Sequence, residues 1–372
     1  MSAARTVHSL LLVINFVFLF SFSHSCEAQC LEACGFNAIY QFGDSMSDTG
    51  NSIIEFPQAY HSRLPYGKTI GKATGRSSDG LLIIDYIAQS AGLSWLEPYE
   101  NPNSTFKSGV EFGFAGAAAL PVQTLLKWNI PPRITNNSLD IQLQWFDKHL
   151  HTTCNVTQDC QEKLKSSLFM VGEIGANDYD AAFIQGKTIE EVKTVMVPAV
   201  LQAIKDAVTK VISYGATRVV VPGIFKVGCA PALLTLLASN TSTAYDTFGC
   251  LKNYNDFFAY HNDHLQLALE ELRKEHPTVH IVYADLYNAH QWILDNHVKL
   301  GFTSIVETCC GKGGKYNFAM GMTNMCGAAG IPVCSNSKGH VFWDEWHFSH
   351  EANKYLSEWI INDMLPKLQC SM

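Results

Sequence analysis

Near its start the chain contains the segment Ala38-Ile39-Tyr40-Gln41-Phe42-Gly43-Asp44-Ser45-Met46, in which a mostly apolar run stops at a glycine. A short apolar run bounded by turn residues predicts a buried strand, here Ala38 to Phe42. Ser45 is therefore expected just beyond the carboxyl end of that strand. Because Gly, Asp and Ser are all common in turns, the segment taken alone indicates a turn rather than a functional site.

Apolar runs and amphipathic segments continue to alternate along the chain. Further strands are predicted at Leu168 to Val171, Arg218 to Val221 and His280 to Ala284, and helices at Gly80 to Ala91, Val192 to Tyr214, Asn253 to Glu275 and Glu351 to Leu368. Fully apolar strands that alternate with helices predict an α/β fold with a mostly parallel sheet covered on both faces. Such sheets bind ligands beyond the carboxyl ends of their strands.

A second segment, Asp344-Glu345-Trp346-His347, lies in a predicted loop before the last helix. Together with Ser45 it supplies a Ser, a His and an Asp, the groups that can activate a hydroxyl for attack on an ester carbonyl. Asn177 follows another predicted strand, so we expect it at the same edge of the sheet. No G-x-S-x-G motif occurs, which weighs against the α/β-hydrolase fold.

Five sequence blocks occur in order between about residue 38 and the C-terminus: Tyr40 to Asn51, Pro65 to Gly80, Gly109 to Ala117, Gly172 to Tyr179, and Cys309 to His347. The first contains Phe42-Gly43-Asp44-Ser45-Met46, and the last contains Cys309-Cys310-Gly311 and Asp344-Glu345-Trp346-His347. Together they resemble the plant GDSL esterase/lipase family, a branch of the SGNH hydrolases. The resemblance implies the SGNH-hydrolase fold, a flavodoxin-like three-layer α/β/α domain, and hydrolysis of carboxylic esters.

The resemblance also implies roles for five residues. Ser45 is the expected nucleophile, His347 the general base and Asp344 the residue that orients His347. The expected oxyanion hole consists of the backbone N–H groups of Ser45 and Gly116 and the side chain of Asn177. No cofactor and no metal ion are expected.

The sequence departs from the usual family pattern near these residues. Met46 replaces the usual Leu, a change that conserves volume. Glu345 adds a negative charge beside His347 and is expected to raise the pKa of the imidazole. Trp346 is expected either to line the substrate pocket or to pack in the protein interior.

The N-terminus is predicted to be a signal peptide. Arg5 is followed by a largely apolar run of 13 residues, Leu10 to Phe22, which is too short to span a bilayer. Cleavage after Ala28 would place Cys26 and Ala28 at the two small-residue positions of a cleavage site, and cleavage after Ser25 is the alternative. We therefore expect one hydrolase domain over residues 29–372, with no transmembrane anchor, and a secreted protein whose destination is extracellular or vacuolar.

Twelve cysteines in such a chain predict disulfide bonds. Plausible local pairs are Cys154/Cys160 and Cys229/Cys250, while Cys309, Cys310, Cys326 and Cys334 form a cluster with several possible pairings. The number left after cleavage at Ala28 is odd, which would leave one free thiol. Zinc is disfavoured because neither C-x-x-C nor H-E-x-x-H occurs. His261 and His264 are spaced like metal ligands, but a packed or solvated helix face is the favoured interpretation.

Four N-x-S/T sequons, at Asn103, Asn136, Asn155 and Asn240, predict N-linked glycans in surface loops. The net charge is −8 and the basic residues are not clustered, which argues against nucleic acid as a partner. The sequence thus predicts a secreted esterase acting on acylated small metabolites or lipids. Two alternatives stay open: an acyltransferase that uses the same triad with an alcohol acceptor, and a catalytically silent binding or defence protein.

Overall fold

The computed structural model describes residues 31–131, 134–153 and 158–370. The predicted signal peptide, the sequon at Asn155 and the side chains of the predicted Cys154/Cys160 pair lie outside the described residues. Among the described residues, no helix combines the length and the apolar character needed to cross a bilayer.

In the described part of the chain, eight strands form two sheets. They are β1 (Ile39–Phe42), β2 (Glu97–Pro98), β3 (Gly109–Glu111), β4 (Leu168–Val171), β5 (Arg218–Pro222), β6 (His280–Ala284), β7 (Ser304–Thr308) and β8 (His340–Phe342). The central sheet has the order β2-β3-β1-β4-β5-β6, and all of its neighbouring strands are parallel. Strands β7 and β8 pair separately. The parallel sheet predicted from the sequence is confirmed.

Helices cover both faces of this sheet, as an α/β fold requires. They are α1 (Asn51–Glu55), α2 (Ile83–Ser90), α3 (Val122–Lys127), α4 (Leu139–Thr153), α5 (Gln158–Lys165), α6 (Ala176–Ile184), α7 (Val197–Ser213), α8 (Pro231–Leu236), α9 (Lys252–Glu275), α10 (Leu286–Leu300) and α11 (His350–Met364). Helix α11 packs against α2 and α10, while α7 packs against α4 and α9.

The burial of each element follows from its sequence. Every residue of β1 and β4 is buried, which explains why these strands are nearly continuous apolar runs. Helix α7 buries one stripe, including Val200, Ile204 and Val211, at helical spacing. It ends as predicted before Gly215, whose φ of 114° favours glycine.

Two predicted helices differ from the observed ones because of prolines. The segment predicted as one helix from Val192 begins with a π-helical turn, Val192–Met196, because Pro198 lacks the N–H that would continue the α-helical pattern. At the other end of the chain, α11 stops at Met364, and Leu365–Leu368 forms a 3₁₀ turn around Pro366.

Four disulfides join described cysteines. The predicted pair Cys229–Cys250 is confirmed, and the cysteine cluster forms Cys309–Cys334 and Cys310–Cys326. A fourth bond that the sequence did not predict, Cys34–Cys370, spans 336 residues and ties the start of the described chain to its end. None of the cysteines whose side chains are described is free.

The sheet order brings three sequence-distant loops to one place. Strands β3, β1 and β4 are adjacent and parallel, so their carboxyl ends lie at the same edge. Gly116, Ser45 and Asn177 follow these three strands in that order. His347 lies between β8 and α11. The convergence of Ser45 and Asn177 expected from the sequence is therefore a consequence of the strand order. His347, which was expected at the same edge, reaches Ser45 from the loop after β8.

Candidate active site

Ser45 lies in a turn that is held from both sides. The side chain of Gln142 on α4 accepts from the backbone N–H of Gly43 at 2.9 Å and donates to the carbonyl of Gly43 at 2.8 Å. After the glycine, Asp44 Oδ1 accepts from the backbone N–H of Met46 at 2.9 Å. The backbone on both sides of Ser45 is thus fixed by side chains that are themselves hydrogen-bonded.

Ser45, His347 and Asp344 form a hydrogen-bonded chain. His347 Nε2 lies 2.9 Å from Ser45 Oγ, and His347 Nδ1 lies 2.8 Å from each carboxylate oxygen of Asp344. Asp344 Oδ1 also accepts from the backbone N–H groups of Trp346 and His347. One carboxylate therefore orients both the imidazole and the short loop that carries it, and the imidazole is placed to take a proton from the hydroxyl.

The charges around His347 favour its protonated form. Burial lowers the pKa of His347, but the neighbouring carboxylates of Asp344, Glu345 and Asp44 outweigh it and raise the pKa above its usual value. For Asp344, burial acts to raise the pKa, but the charge and hydrogen bonds of His347 keep it below its usual value. Glu345 therefore raises the pKa of His347, as the sequence predicts.

Tyr66 is a member of this network that sequence reasoning missed. Its hydroxyl donates a 2.8 Å hydrogen bond to Asp344 Oδ2, and its buried ring packs edge-on against Trp343. Burial and the charge of Asp344 raise the pKa of Tyr66 well above its usual value, so the hydroxyl stays a donor. Tyr66 belongs to a family block, yet no local spacing links it to a carboxylate 278 residues away.

The three expected oxyanion donors border one cavity. Ser45, Gly116 and Asn177 all line it, and Gly116 has a φ of 83°, a conformation that favours glycine. The amide nitrogen of Asn177 donates to Asp44 Oδ2 at 2.9 Å and to the carbonyl of Ala117 at 3.0 Å. Asn177 therefore joins the Ser45 turn to the loop that follows β3.

Asp178 fixes that same loop from the adjacent position of α6. Its two carboxylate oxygens accept from the backbone N–H groups of Ala119 and Leu120 at 2.8 and 3.0 Å. Burial raises the pKa of Asp178 to about 7, although these hydrogen bonds oppose the shift. The segment that carries Gly116 is thus anchored to the helix that carries Asn177.

The chain is similar to known proteins over most of its length. The family described as GDSL-like Lipase/Acylhydrolase matches residues 39–360. This chain belongs to the GDSL lipase/acylhydrolase family. It is 41% identical to acetylajmalan esterase 2 of Rauvolfia serpentina, over 92% of this chain and 94% of that protein. It is 39% identical to sinapine esterase of Brassica napus, over 91% and 87% of the two chains, and 38% identical to a GDSL esterase/lipase of Arabidopsis thaliana, over 95% and 90%. These similarities identify a carboxylic ester hydrolase.

In this GDSL hydrolase the cavity beside Ser45 measures about 260 Å³. Its apolar and aromatic lining includes side chains from several loops: Met46, Ala59, Tyr60, Ile134, Phe225, Val227, Met322, Met325 and Trp346. Trp346 lines the cavity and also packs against the hydrophobic core. Four carboxyl groups besides that of Asp344 line the same space: Asp44, Glu173, Asp180 and Glu345.

The remaining candidate residues lie away from this cavity. His261 is buried and its Nδ1 lies 2.8 Å from the Tyr179 hydroxyl, while His264 Nδ1 lies 2.8 Å from the carbonyl of Tyr260 in the preceding turn. These contacts are those of a packed helix face. The three described sequon asparagines, at positions 103, 136 and 240, are exposed.

Proposed function

We propose that this protein is a secreted serine esterase that hydrolyses its substrate through a covalent acyl-Ser45 intermediate. The observation that carries the proposal is the continuous hydrogen-bonded chain from Ser45 Oγ through His347 to Asp344. A hydroxyl that contacts a base, which in turn contacts an orienting carboxylate, has the geometry needed for nucleophilic catalysis. The proposed reaction needs no metal ion or cofactor.

In the proposed reaction, His347 Nε2 takes the proton of Ser45 as Oγ attacks the ester carbonyl carbon. The tetrahedral intermediate collapses, the bond to the alcohol oxygen breaks, and His347 returns the proton to the departing alcohol. Water then attacks the acyl-Ser45 ester with the help of the same imidazole. Collapse of the second intermediate releases the carboxylic acid and restores Ser45.

The developing oxyanion is proposed to bind the backbone N–H groups of Ser45 and Gly116 and the amide of Asn177. A glycine allows the backbone to approach the substrate closely. In the resting structure the Asn177 amide donates to Asp44 and Ala117. Donation to the oxyanion therefore requires Asn177 to share or exchange one of these hydrogen bonds.

We propose that the substrates are acylated small metabolites rather than long-chain triglycerides. A cavity of about 260 Å³ suits a compact ester group and its immediate substituents. The relatives named acetylajmalan esterase and sinapine esterase are each named for a single ester.

We propose that the protein enters the secretory pathway, is cleaved after Ser25 or Ala28, and folds as one hydrolase domain over the remaining residues. Four disulfides in the described part of the chain are typical of an oxidising compartment. Three exposed sequons offer sites for N-linked glycans. N-terminal sequencing of protein from a secreting plant host, with and without glycosidase treatment, tests these points.

The test of function is incubation of the secreted protein with a plant metabolite extract, followed by mass spectrometry, with Ser45→Ala as the control. An ester that disappears only with the wild-type protein, leaving free acid and alcohol, would support the hydrolase. Acyl groups transferred to an added alcohol would instead make the protein a transferase. No change with correctly folded protein, and no hydrolysis of 4-nitrophenyl acetate, would contradict the proposal and favour a binding protein.

A further inference from the structure

A second imidazole, that of His61, borders the cavity beside Ser45. It belongs to a 3₁₀ turn, Tyr60–Ser62, and lines the same space as His347. The proposed reaction uses only His347 as a base. Cavities that bind small molecules contain a few polar groups that orient the ligand, and His61 is placed to be one of them.

The ring of His61 is held from two sides. Its Nε2 lies 2.8 Å from the hydroxyl oxygen of Ser52, a buried residue of α1 whose backbone N–H donates to Asp48 at 3.1 Å. The ring also packs edge-on against that of Tyr66, with 6.2 Å between the centroids. His61 therefore has a fixed orientation before any substrate binds, as a residue that selects a ligand requires.

The other ring nitrogen of His61 is available to a ligand. Nδ1 has no hydrogen-bond partner among the described residues, and it is not one of the buried polar atoms that lack a partner, so it retains accessible surface. Because His61 lines the cavity, a molecule bound there can reach this nitrogen. The ring thus uses one nitrogen to hold its position and leaves the other free for a ligand.

The ring of His61 is neutral at neutral pH. Burial lowers its pKa and outweighs the charge of Asp48, which acts in the opposite direction. In a neutral imidazole one nitrogen donates and the other accepts, and the direction of the Ser52 hydroxyl decides which of them is Nδ1. A substrate hydroxyl can donate or accept, so it matches Nδ1 in either tautomer. An ether or carbonyl oxygen matches only one tautomer.

We propose that His61 is a specificity-determining residue, which binds a hydroxyl group of the ester substrate through Nδ1. This inference rests on the proposed function, since it concerns substrate choice at the same site. His61 takes no part in bond cleavage. It favours esters that carry a hydroxyl close to the ester group over those that carry a methyl group at the same position.

The test uses two pairs of esters in which a hydroxyl replaces a methyl group. Ethyl lactate and ethyl isobutanoate differ in the acyl part, while 3-hydroxypropyl acetate and butyl acetate differ in the alcohol part. In each pair, kcat/KM for the hydroxyl ester is divided by kcat/KM for the methyl ester. Comparing this ratio between variants cancels the intrinsic reactivity of the esters. The ratio is measured for the full secreted protein, for His61→Phe and for His151→Phe, a control on the exposed surface of α4.

We expect the ratio of at least one pair to be ~10-fold or more higher in the wild type and the control than in His61→Phe, because the variant leaves the hydroxyl without a partner. A purely structural role of the ring would lower kcat/KM for all of these esters alike and leave both ratios unchanged. Equal ratios in the wild type and folded His61→Phe, for both pairs, would overturn the proposal.

Two further variants separate the two ring nitrogens and keep the test decisive where His61→Phe does not fold. The amide of His61→Asn lies near the position of Nδ1, while that of His61→Gln reaches the position of Nε2. We expect His61→Asn to keep most of the wild-type ratio and His61→Gln to lose it. A ratio in His61→Asn no higher than that in His61→Gln would overturn the role of Nδ1.

Hydrolysis of 4-nitrophenyl acetate by the wild type reports separately on the proposed function, because this ester carries no hydroxyl. A wild-type protein that hydrolyses it but does not hydrolyse either hydroxyl ester would overturn the role of His61 alone. A wild-type protein that hydrolyses none of the esters would overturn the proposed function and, with it, this inference.

Discussion

The hydroxyl of Tyr66 donates a 2.8 Å hydrogen bond to Asp344 Oδ2, and the two residues lie 278 positions apart in the chain. Asp344 therefore has three kinds of partner: the ring of His347, the backbone of its own loop and the phenol of Tyr66. The orienting carboxylate of the proposed triad is held in place by a residue outside that triad.

Substitution Tyr66→Phe tests this positioning role. Loss of a hydrogen bond to a charged group costs about 1.5–3 kcal/mol, so we expect kcat/KM for 4-nitrophenyl acetate to fall about tenfold or more. The phenol also withdraws charge from Asp344. Without this hydrogen bond, Asp344 should raise the pKa of His347 further. The acid limb of the dependence of kcat/KM on pH should then move to higher pH. A fall in activity with an unchanged pH profile would indicate a purely structural role.

The pH dependence should follow His347. Its pKa is raised above the usual value, and only the neutral imidazole can accept the proton of Ser45, so kcat/KM should rise with pH through that raised pKa. The charge of Glu345 contributes to this raised pKa of His347. Glu345→Gln should therefore lower the pKa of His347 and shift the acid limb to lower pH. The exposed residue Glu358 on α11 provides the matched control, and Glu358→Gln should leave the limb in place. Equal shifts in both variants would contradict the assignment.

Replacing Asn177 tests the proposed oxyanion hole. Asn177→Ala should lower kcat by about 10²–10³ and change KM little, because the lost donor acts mainly in the transition state. The substitution also removes the hydrogen bonds to Asp44 and Ala117, so thermal unfolding is measured in parallel. A stable variant with nearly full kcat would show that the side chain does not bind the oxyanion.

The disulfide between Cys34 and Cys370 should contribute to stability without affecting the chemistry. It links the two ends of the described chain, and loss of such a bond typically lowers the free energy of unfolding by about 2–5 kcal/mol. The double variant Cys34→Ser/Cys370→Ser should have a lower midpoint of chemical denaturation and nearly wild-type kcat at 25 °C. An unchanged midpoint would mean that packing alone holds the termini.

The sequence predicted the buried parts of the fold well because their signals are local. Strands β1, β4 and β5 are apolar runs, and α7 and α9 are amphipathic over many turns. Strand β2, at the edge of the sheet, and its neighbour β3 were missed because they have two and three residues, with Glu and Pro among them. Their place in the sheet comes from pairing with a neighbour, which no periodicity records.

The residues of the site were likewise predictable from the sequence only where their signal is local. Ser45, Asp344 and His347 were predicted because they lie in short motifs of a recognisable family. The order of the parallel strands explains how Ser45 meets Gly116 and Asn177. Tyr66 was missed, because its importance depends on a contact in the folded chain rather than on spacing. Tyr66 looks ordinary in the sequence, and only the folded chain places its hydroxyl against Asp344.

The most direct test of the central claim is labelling with a fluorophosphonate, followed by peptide mass spectrometry. We expect a single adduct on Ser45 in the wild type, no adduct in Ser45→Ala, and slow labelling in His347→Ala, because the reagent needs an activated hydroxyl. Folded wild-type protein that stays unlabelled, or that carries the adduct on another residue, would contradict the proposed acyl-Ser45 mechanism.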